Sequence, residues 1–287
     1  SFVKYYMSGG YTNTKGLYSG VGRDRFNYSM KLDATLLKGL VLSLDMTGTR
    51  SENKNTSYST IDAAYNFSPL QVLRFTNGDL ASVESSNPLI AVEGLGGYIR
   101  NNMNTITATL NYDMPWVKGL SAYIRATFDN NNSVQKTFNT PVTLYTYKKE
   151  TGNIEEDYKT TYPEAKITLE EIDRFVDNKL LEFGVNYNRT FVGKHDVSGM
   201  LVVNYQDYKN RYLKGKNKEM AGIYPEIIGT SLSSDLAGTE IYTQRASLIG
   251  RATYGYGNRY FIEGSFRVDG STKFHPDNRW GFFKRKI

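Results

Sequence analysis

From Tyr242 to Phe283, apolar and polar residues change places with a period of two. Ala246, Leu248, Gly250, Ala252, Tyr254 and Tyr256 alternate with Ser247, Ile249, Arg251 and Thr253. After Gly257-Asn258-Arg259, residues Tyr260, Ile262, Gly264, Phe266 and Val268 alternate with Phe261, Glu263, Ser265, Arg267 and Asp269. Successive side chains of a strand point to opposite faces, so the pattern predicts a hairpin with one small or apolar face and one polar, charged face. A loop from Asp269 to Phe274 then leads to a third strand around 278–283.

The same theme recurs upstream. Residues 2–12 and 25–37 predict strands, the second with Tyr28, Met30, Leu32, Ala34 and Leu36 on one face. Beyond Leu37-Lys38-Gly39, the set Leu40, Leu42, Leu44 and Met46 alternates with Val41, Ser43, Asp45 and Thr47. Ile106 to Met114 and Leu120 to Phe128 form another pair around the turn Pro115–Gly119. Strands at 179–191 and 194–208 set Leu181, Phe183, Val185 and Tyr187 against Val197, Gly199, Leu201, Val203 and Tyr205. Three long polar connections are predicted, Ser51 to Met103, Asn130 to about Asn178, and Lys209 to about Tyr242. A short helix is expected near Ile61–Phe67, ahead of Pro69. Thr168-Leu169-Glu170-Glu171 reads as a capping box, with Leu169, Ile172 and Phe175 or Val176 at helical spacing, and predicts a second helix.

Short turns and long loops therefore alternate strictly along about ten predicted strands. Outer-membrane barrels place short turns on the periplasmic side and long loops outside. A soluble sandwich mixes connection lengths at both ends. Turn parity agrees with the barrel. Apolar faces stay on one side of the sheet only if each short turn holds an odd number of residues, and Leu37–Gly39, Pro115–Gly119, Val192–Lys194 and Gly257–Arg259 all do. Aromatics add weight. Tyr112, Trp116, Tyr187, Phe191, Tyr254, Tyr256 and Tyr260 lie near the short turns, with Phe128 and Tyr205 at the opposite ends. Amphipathic rings favour the headgroup level, so two girdles are expected.

Composition narrows the picture further. Hydrophobic residues make up 39% but aromatics 14%, with 23 Tyr and 14 Phe, and no apolar run approaches the ~18 residues of a spanning helix. The net charge of +6, from 35 basic and 29 acidic side chains, is mild and scattered, which argues against nucleic acid as a partner. The absence of Cys excludes a disulfide framework and a thiolate metal site. Ser1-Phe2-Val3-Lys4-Tyr5 already reads as mid-strand, so the expectation is an internal piece of a longer protein without its signal peptide.

The run "YFIEGSFRVDGSTKFHPDNRWGFF" resembles the signature hairpin of the SusC/RagA family of TonB-dependent outer-membrane transporters, "R-x-D-G-S-s-r-F … N-R-W-G". Arg267, Asp269, Gly270, Ser271, Phe274, Asn278, Arg279, Trp280 and Gly281 all fall in place. The likeness is strong over 179–283 and weak over 53–103 and 131–178. It implies an all-β fold, an antiparallel transmembrane β-meander over residues 1–287 that is part of a larger, plugged barrel of ~22 strands. It implies uptake of oligosaccharides or peptides, energised by a TonB–ExbB–ExbD complex acting on a plug. A SusD-like surface lipoprotein would cap the loops 53–103, 130–178 and 209–242, and the lipid bilayer of the outer membrane would surround the wall. After Phe283 the family pattern continues with Pro-Ser, whereas this chain has Lys284-Arg285-Lys286-Ile287. Two other classes compete with this reading, a passive porin or adhesin barrel and a soluble, secreted glycan-binding sandwich.

The residues offer no catalytic constellation, cofactor motif or metal site. His195 and His275 fall in a turn and a loop and read as solvated polar residues. Glu155-Glu156-Asp157 and Glu170-Glu171 read as charged loop surface, and Gly94-Leu95-Gly96-Gly97 and Gly255-Tyr256-Gly257 lack the helix start and Lys of a phosphate loop. The charges on the polar strand faces say more. Arg125, Glu182, Arg251, Glu263 and Arg267 are expected to point into the lumen, with Arg251 diagonal to Glu263 and within ion-pair reach. They would either stiffen the wall as a ladder or meet a plug or polar substrate. Arg189, near a turn, can snorkel. Arg279 and Trp280 are expected to fix the chain where the loop becomes a strand.

Overall fold

The computed structural model describes residues 2–55, 60–83, 87–94, 96–147, 150–151, 158–161, 166–222, 224, 226–227 and 234–286. Glu155–Asp157 lie outside the described residues. Ten strands form one sheet, each containing most of a predicted strand and several running well beyond it. They are β1 (Val3–Lys15), β2 (Gly22–Leu37), β3 (Leu40–Asn55), β4 (Gly97–Asp113), β5 (Leu120–Asn139), β8 (Ile167–Phe191), β9 (His195–Met220), β10 (Ser234–Tyr256), β11 (Tyr260–Ser271) and β12 (Trp280–Lys286). Each pairs antiparallel with the next, a pure meander. The two-stranded hairpin β6 (Leu144–Tyr147) and β7 (Tyr158–Thr161) stands in the β5–β8 connection. Two short helices, α1 (Thr60–Tyr65) and α2 (Leu89–Glu93), lie in the β3–β4 connection. The first sits where the sequence predicts a helix.

Three of the short turns close as their parity requires. Phe191 pairs with His195 around Val192–Lys194, and Tyr256 with Tyr260 around Gly257–Arg259. The Met114 N–H donates to the Leu120 carbonyl at 3.0 Å around Pro115–Gly119. The first turn reaches the same end differently. Leu37 pairs with Leu40 across only Lys38 and Gly39, which by itself would swap the faces, but a bulge at Leu36 lets Thr35 pair with Val41. The extra residue restores Ala34 opposite Leu42 and the apolar faces stay aligned.

Directly paired residues share a face, so the registers trace rows across the sheet. One row runs Tyr5, Leu32, Leu44, Ala108, Ala126, Leu181, Tyr205, Ala246, Gly270, Trp280. The row one residue away, on the opposite face, runs Lys4, Asp33, Ser43, Thr109, Arg125, Glu182, Asn204, Ser247, Asp269, Gly281. Among the described residues no second layer covers the apolar rows. Leu181, Phe183, Leu201 and Val203 remain about half exposed, and the buried core among the described residues is small, comprising Leu80, Ala81, Leu169 and Val202. An apolar face of this extent on a monomer belongs against another apolar phase. On β9 it spans Val197 to Tyr205, about the ~9–11 residues a tilted strand needs to cross a bilayer.

The strands are longer than this. β8, β9 and β10 hold 25, 26 and 23 residues, and their outer halves continue past the apolar rows with polar side chains on both faces. The predicted loop edges at Ser51, Asn130 and Lys209 therefore need correction, since β3, β5 and β9 run on to Asn55, Asn139 and Met220. The helix predicted from Thr168–Glu171 is also overturned, because this segment opens β8. Leu169 is fully buried as a strand residue between Phe138 and Asn217. Glu170 meets Lys214 at 2.9 Å and Glu171 meets Lys136 at 3.3 Å, on opposite faces. Pairing on both edges outweighs a local cap signal worth about 1 kcal/mol.

Candidate functional site

The predicted charged residues fall into two clusters on the polar face. On β5 and β8, Arg125 lies directly opposite Glu182, with Nη1 3.3 Å from Oε1. The Tyr123 hydroxyl donates to the same oxygen at 2.8 Å, and Arg125 Nε donates to Thr109 Oγ1 at 3.3 Å. Tyr123 can lie there because its cross-strand partner is Gly184, where a Cβ would come within 2.2 Å of the ring. The guanidinium also sits 5.2 Å from that ring's centroid. Glu182 thus has two donors and Arg125 two acceptors.

On β10 and β11, Arg251 Nη2 reaches Glu263 at 2.5 Å across the expected diagonal, since Arg251 pairs with Ser265 and Thr253 with Glu263. One step outward, Arg267 Nε lies 2.7 Å from both oxygens of Asp269, and its Nη2 reaches Ser247 Oγ at 3.4 Å. Each cation in these clusters has a carboxylate. Such cross-strand and along-strand pairs fix the wall's register and leave little free charge.

The residues of the 267–281 motif build one loop. Trp280 pairs with Gly270, where a Cβ would meet its ring at 2.8 Å, so glycine is what lets the indole lie flat on the strand. Ser271 N–H donates to the Arg279 carbonyl at 3.1 Å, and Arg279 Nε donates to the Phe274 carbonyl at 3.2 Å. Pro276–Asn278 form a single 3₁₀ turn closed by Asn278 N–H on the His275 carbonyl at 2.9 Å. Arg279 and Trp280 fix the start of β12, as their position suggests. His275 lies against Asp277 at 3.4 Å. His195 is the first residue of β9 rather than a turn residue, with Nδ1 2.8 Å from the Tyr254 hydroxyl and its ring 5.0 Å from Tyr256. Among the described residues no group of three or more His, Asp or Glu could hold a metal ion.

Two arrangements had no sequence signal strong enough to find them. In the outer half, ion pairs tie neighbouring strands, Arg100 to Glu52 at 2.8 Å, Lys218 to Asp235 at 2.7 Å and Lys209 to Glu240 at 3.0 Å. The hydrogen bond from Lys214 to Glu170 holds that ammonium above its ordinary range. Beyond the wall, two connections form a small folded unit. The buried Asn87 amide donates to the Leu73 and Ala81 carbonyls at 2.8 and 2.9 Å, and its Oδ1 accepts from the Leu89 N–H. Ser82 N–H and Tyr145 N–H then stitch this segment to β6 at 2.7 and 2.9 Å. The loops at this end are held together, with Leu80 and Ala81 buried between them.

No family model matches the chain. It is similar over 98% of its length to TonB-dependent receptors P39 and P3 of Formosa agariphila, at 26% and 23% identity. The chain spans 26% and 28% of the length of these curated relatives. Among solved structures, it superposes over its whole length on the RagAB peptide transporter with a TM-score of 0.75, at 17% identity and over 32% of that chain. BauA, the ferric preacinetobactin receptor of Acinetobacter baumannii, matches with a TM-score of 0.52 at 11% identity, over 39% of its chain. The resemblance carried by the 267–281 motif is borne out. The fold is an antiparallel meander of the kind that forms part of a TonB-dependent receptor barrel.

Proposed function

We propose that this chain is part of the wall and outer loops of an outer-membrane importer that takes up oligosaccharides or peptides in a TonB-dependent manner. The observation that carries the reading is the two-faced sheet. Its uncovered apolar rows meet lipid, while the row from Lys4 to Asp269 faces a water-filled or plugged lumen. The reverse orientation would place Arg125, Glu182, Arg251, Glu263 and Arg267 in hydrocarbon, where each Arg costs about 2–4 kcal/mol at midplane. Closing each sheet edge with further strands removes unpaired N–H and C=O groups from lipid, which only a complete barrel achieves. A soluble sandwich would cover the apolar rows with a second sheet, and none of the described residues do so.

The importer's partners follow from the same reading. A SusD-like surface lipoprotein closes over the outer loops, with the Asn87 unit and β6–β7 as part of the platform it meets. A plug fills the lumen and passes the pull of the TonB–ExbB–ExbD complex. Arg125, Glu182, Arg251 and Glu263 brace the wall that surrounds it, and the motif from Arg267 to Gly281 holds the β11–β12 loop in place. No enzyme chemistry or cofactor is assigned. The test is depletion of a mixed pool of peptides and oligosaccharides from the medium by cells carrying the whole gene, with and without TonB. TonB-dependent depletion supports the importer. Equal depletion without TonB indicates a passive porin and contradicts it.

A further inference from the structure

Where β11 stops and β10 goes on, the wall carries a notch. The outermost β10–β11 partners are Arg245 and Ser271, while β10 continues to Ser234 against β9 alone. Thr272 extends the contact by one step. Its N–H donates to the Gln244 carbonyl at 3.0 Å, and its hydroxyl oxygen accepts from the Gln244 N–H at 2.9 Å. The chain then turns away and delivers Lys273 to the corner. A cavity of about 320 Å³ opens there, lined by Gln206, Tyr208, Thr243, Arg245 and Lys273. Gln206 pairs with Arg245 and Tyr208 with Thr243, so these four side chains belong to the polar face.

The chemistry of this corner is one-sided. Among the described residues two cations line it and no carboxylate does. Nearby carboxylates of the same face are already engaged. Asp269 is held by Arg267, and Asp129 accepts from Thr105 at 2.8 Å and Asn178 at 3.0 Å. Gln206 is fixed by its bond to Asn178 at 2.7 Å. Among the described residues neither Arg245 nor Lys273 has an ion-pair partner, in contrast to Arg125, Arg251 and Arg267. The Tyr208 and Thr243 hydroxyls add two donors to the cationic pair. The volume lies at the small end of the ~300–1,000 Å³ typical of ligand pockets, enough for one charged group and the residue that carries it.

We propose that this corner is an oxyanion subsite, in which Arg245 and Lys273 take a carboxylate or sulfate of the oligomer passing along the polar face. It rests on the importer reading. Arg supplies a planar fork suited to a two-oxygen group, and Lys a mobile point charge that can close over it. The subsite therefore favours acidic members of a substrate pool over neutral ones. Another source of the same chemistry is a carboxylate from a different segment of the whole protein, and the test separates the two.

Two measurements on the whole protein decide it, using R245Q/K273Q as the variant and heat-modifiable migration to show that the barrel folds. First, crystals are soaked in selenate. A selenium peak beside Arg245 and Lys273 that disappears in the variant is expected. An empty corner, or a carboxylate of the protein itself seated between the two cations, would overturn the proposal. Second, depletion of the mixed pool is resolved by mass spectrometry. The variant is expected to deplete acidic species at least about tenfold more slowly, since each of the two lost charge-assisted contacts is worth about that factor, while neutral species are unaffected. Equal loss of both classes, or no loss of either, would overturn it, and a selenate peak with unchanged selectivity would mean an adventitious ion only. If the parent protein depletes nothing in a TonB-dependent way, the importer reading fails, while the selenate result still reports on the corner itself.

Discussion

The inner and outer halves of the same strands hold together by different means. In the inner half, near the short turns, one face is apolar from β1 to β12 and the other carries a polar row, so the environment on each side sets the register. In the outer half polar side chains stand on both faces, and apolar ones such as Leu213 and Ile241 are scattered among them. There β8 and β9 stay paired through Glu170–Lys214, and β5 and β8 through Lys136–Glu171. A strand between lipid and lumen must alternate, whereas one between two aqueous spaces need not. On the importer reading, strand length in this sheet is a matter of backbone pairing and ion pairs, while strand position is set by lipid.

The largest effect should come from placing a charge on the apolar face. Leu181→Arg is expected to destabilise the whole barrel by about 2–4 kcal/mol in vesicle refolding titrations, and the same change at Asn102, in the outer half, by within ±0.5 kcal/mol. Equal costs would erase the distinction between the halves. Next in size is Glu182→Gln, which leaves Arg125 and Tyr123 without their shared carboxylate. A loss of about 1–3 kcal/mol is expected, and it should shrink in an Arg125→Met background. A cost unchanged by the second substitution would show that the pair is not coupled.

Gly270→Ala should cost about 1–2 kcal/mol, because the new methyl displaces the Trp280 ring. In a Trp280→Ala background the penalty should vanish, and its persistence would locate the strain in the backbone instead. Smallest of all is Glu170→Gln in the outer half. The partly exposed pairs with Lys214 and Lys216 should give a shift in melting temperature that is visible at low salt and mostly gone near 1 M salt. A salt-independent shift would mean that the outer half is held by more than exposed charge.

Much of the inner half was legible in the sequence because two environments imposed a period of two. The ten strands, three of the four odd turns and the Arg251–Glu263 diagonal all follow from it, the last because a three-residue turn fixes the register locally. Arg125 and Glu182 were visible as inward charges, but not as partners. Their pairing is set across the long β5–β8 connection, which no local turn counts. The outer half was misread for the same physical reason. Without lipid on one side, Asn130–Asn139 and Ile167–Asn178 carry no alternation, and Thr168-Leu169-Glu170-Glu171 looks like a helix start although its neighbours on both edges make it a strand. The Asn87 unit depends on backbone carbonyls brought together only by folding. The corner at Arg245 and Lys273 needs the unequal lengths of β10 and β11, which sequence patterning placed only approximately.

On the importer reading the apolar rows meet lipid and the polar row meets water. The stretch contains no native cysteine, so spin labels can be placed one at a time by Leu181→Cys, Glu182→Cys, Phe183→Cys, Val185→Cys and Asn186→Cys in the whole protein, reconstituted in bilayers. Accessibility to oxygen, which partitions into lipid, is then compared with accessibility to a water-soluble nickel chelate. Labels at 181, 183 and 185 are expected to be relaxed by oxygen, and those at 182 and 186 to be shielded from it and relaxed more by nickel. The inverse pattern, or no alternation along β8, would contradict it.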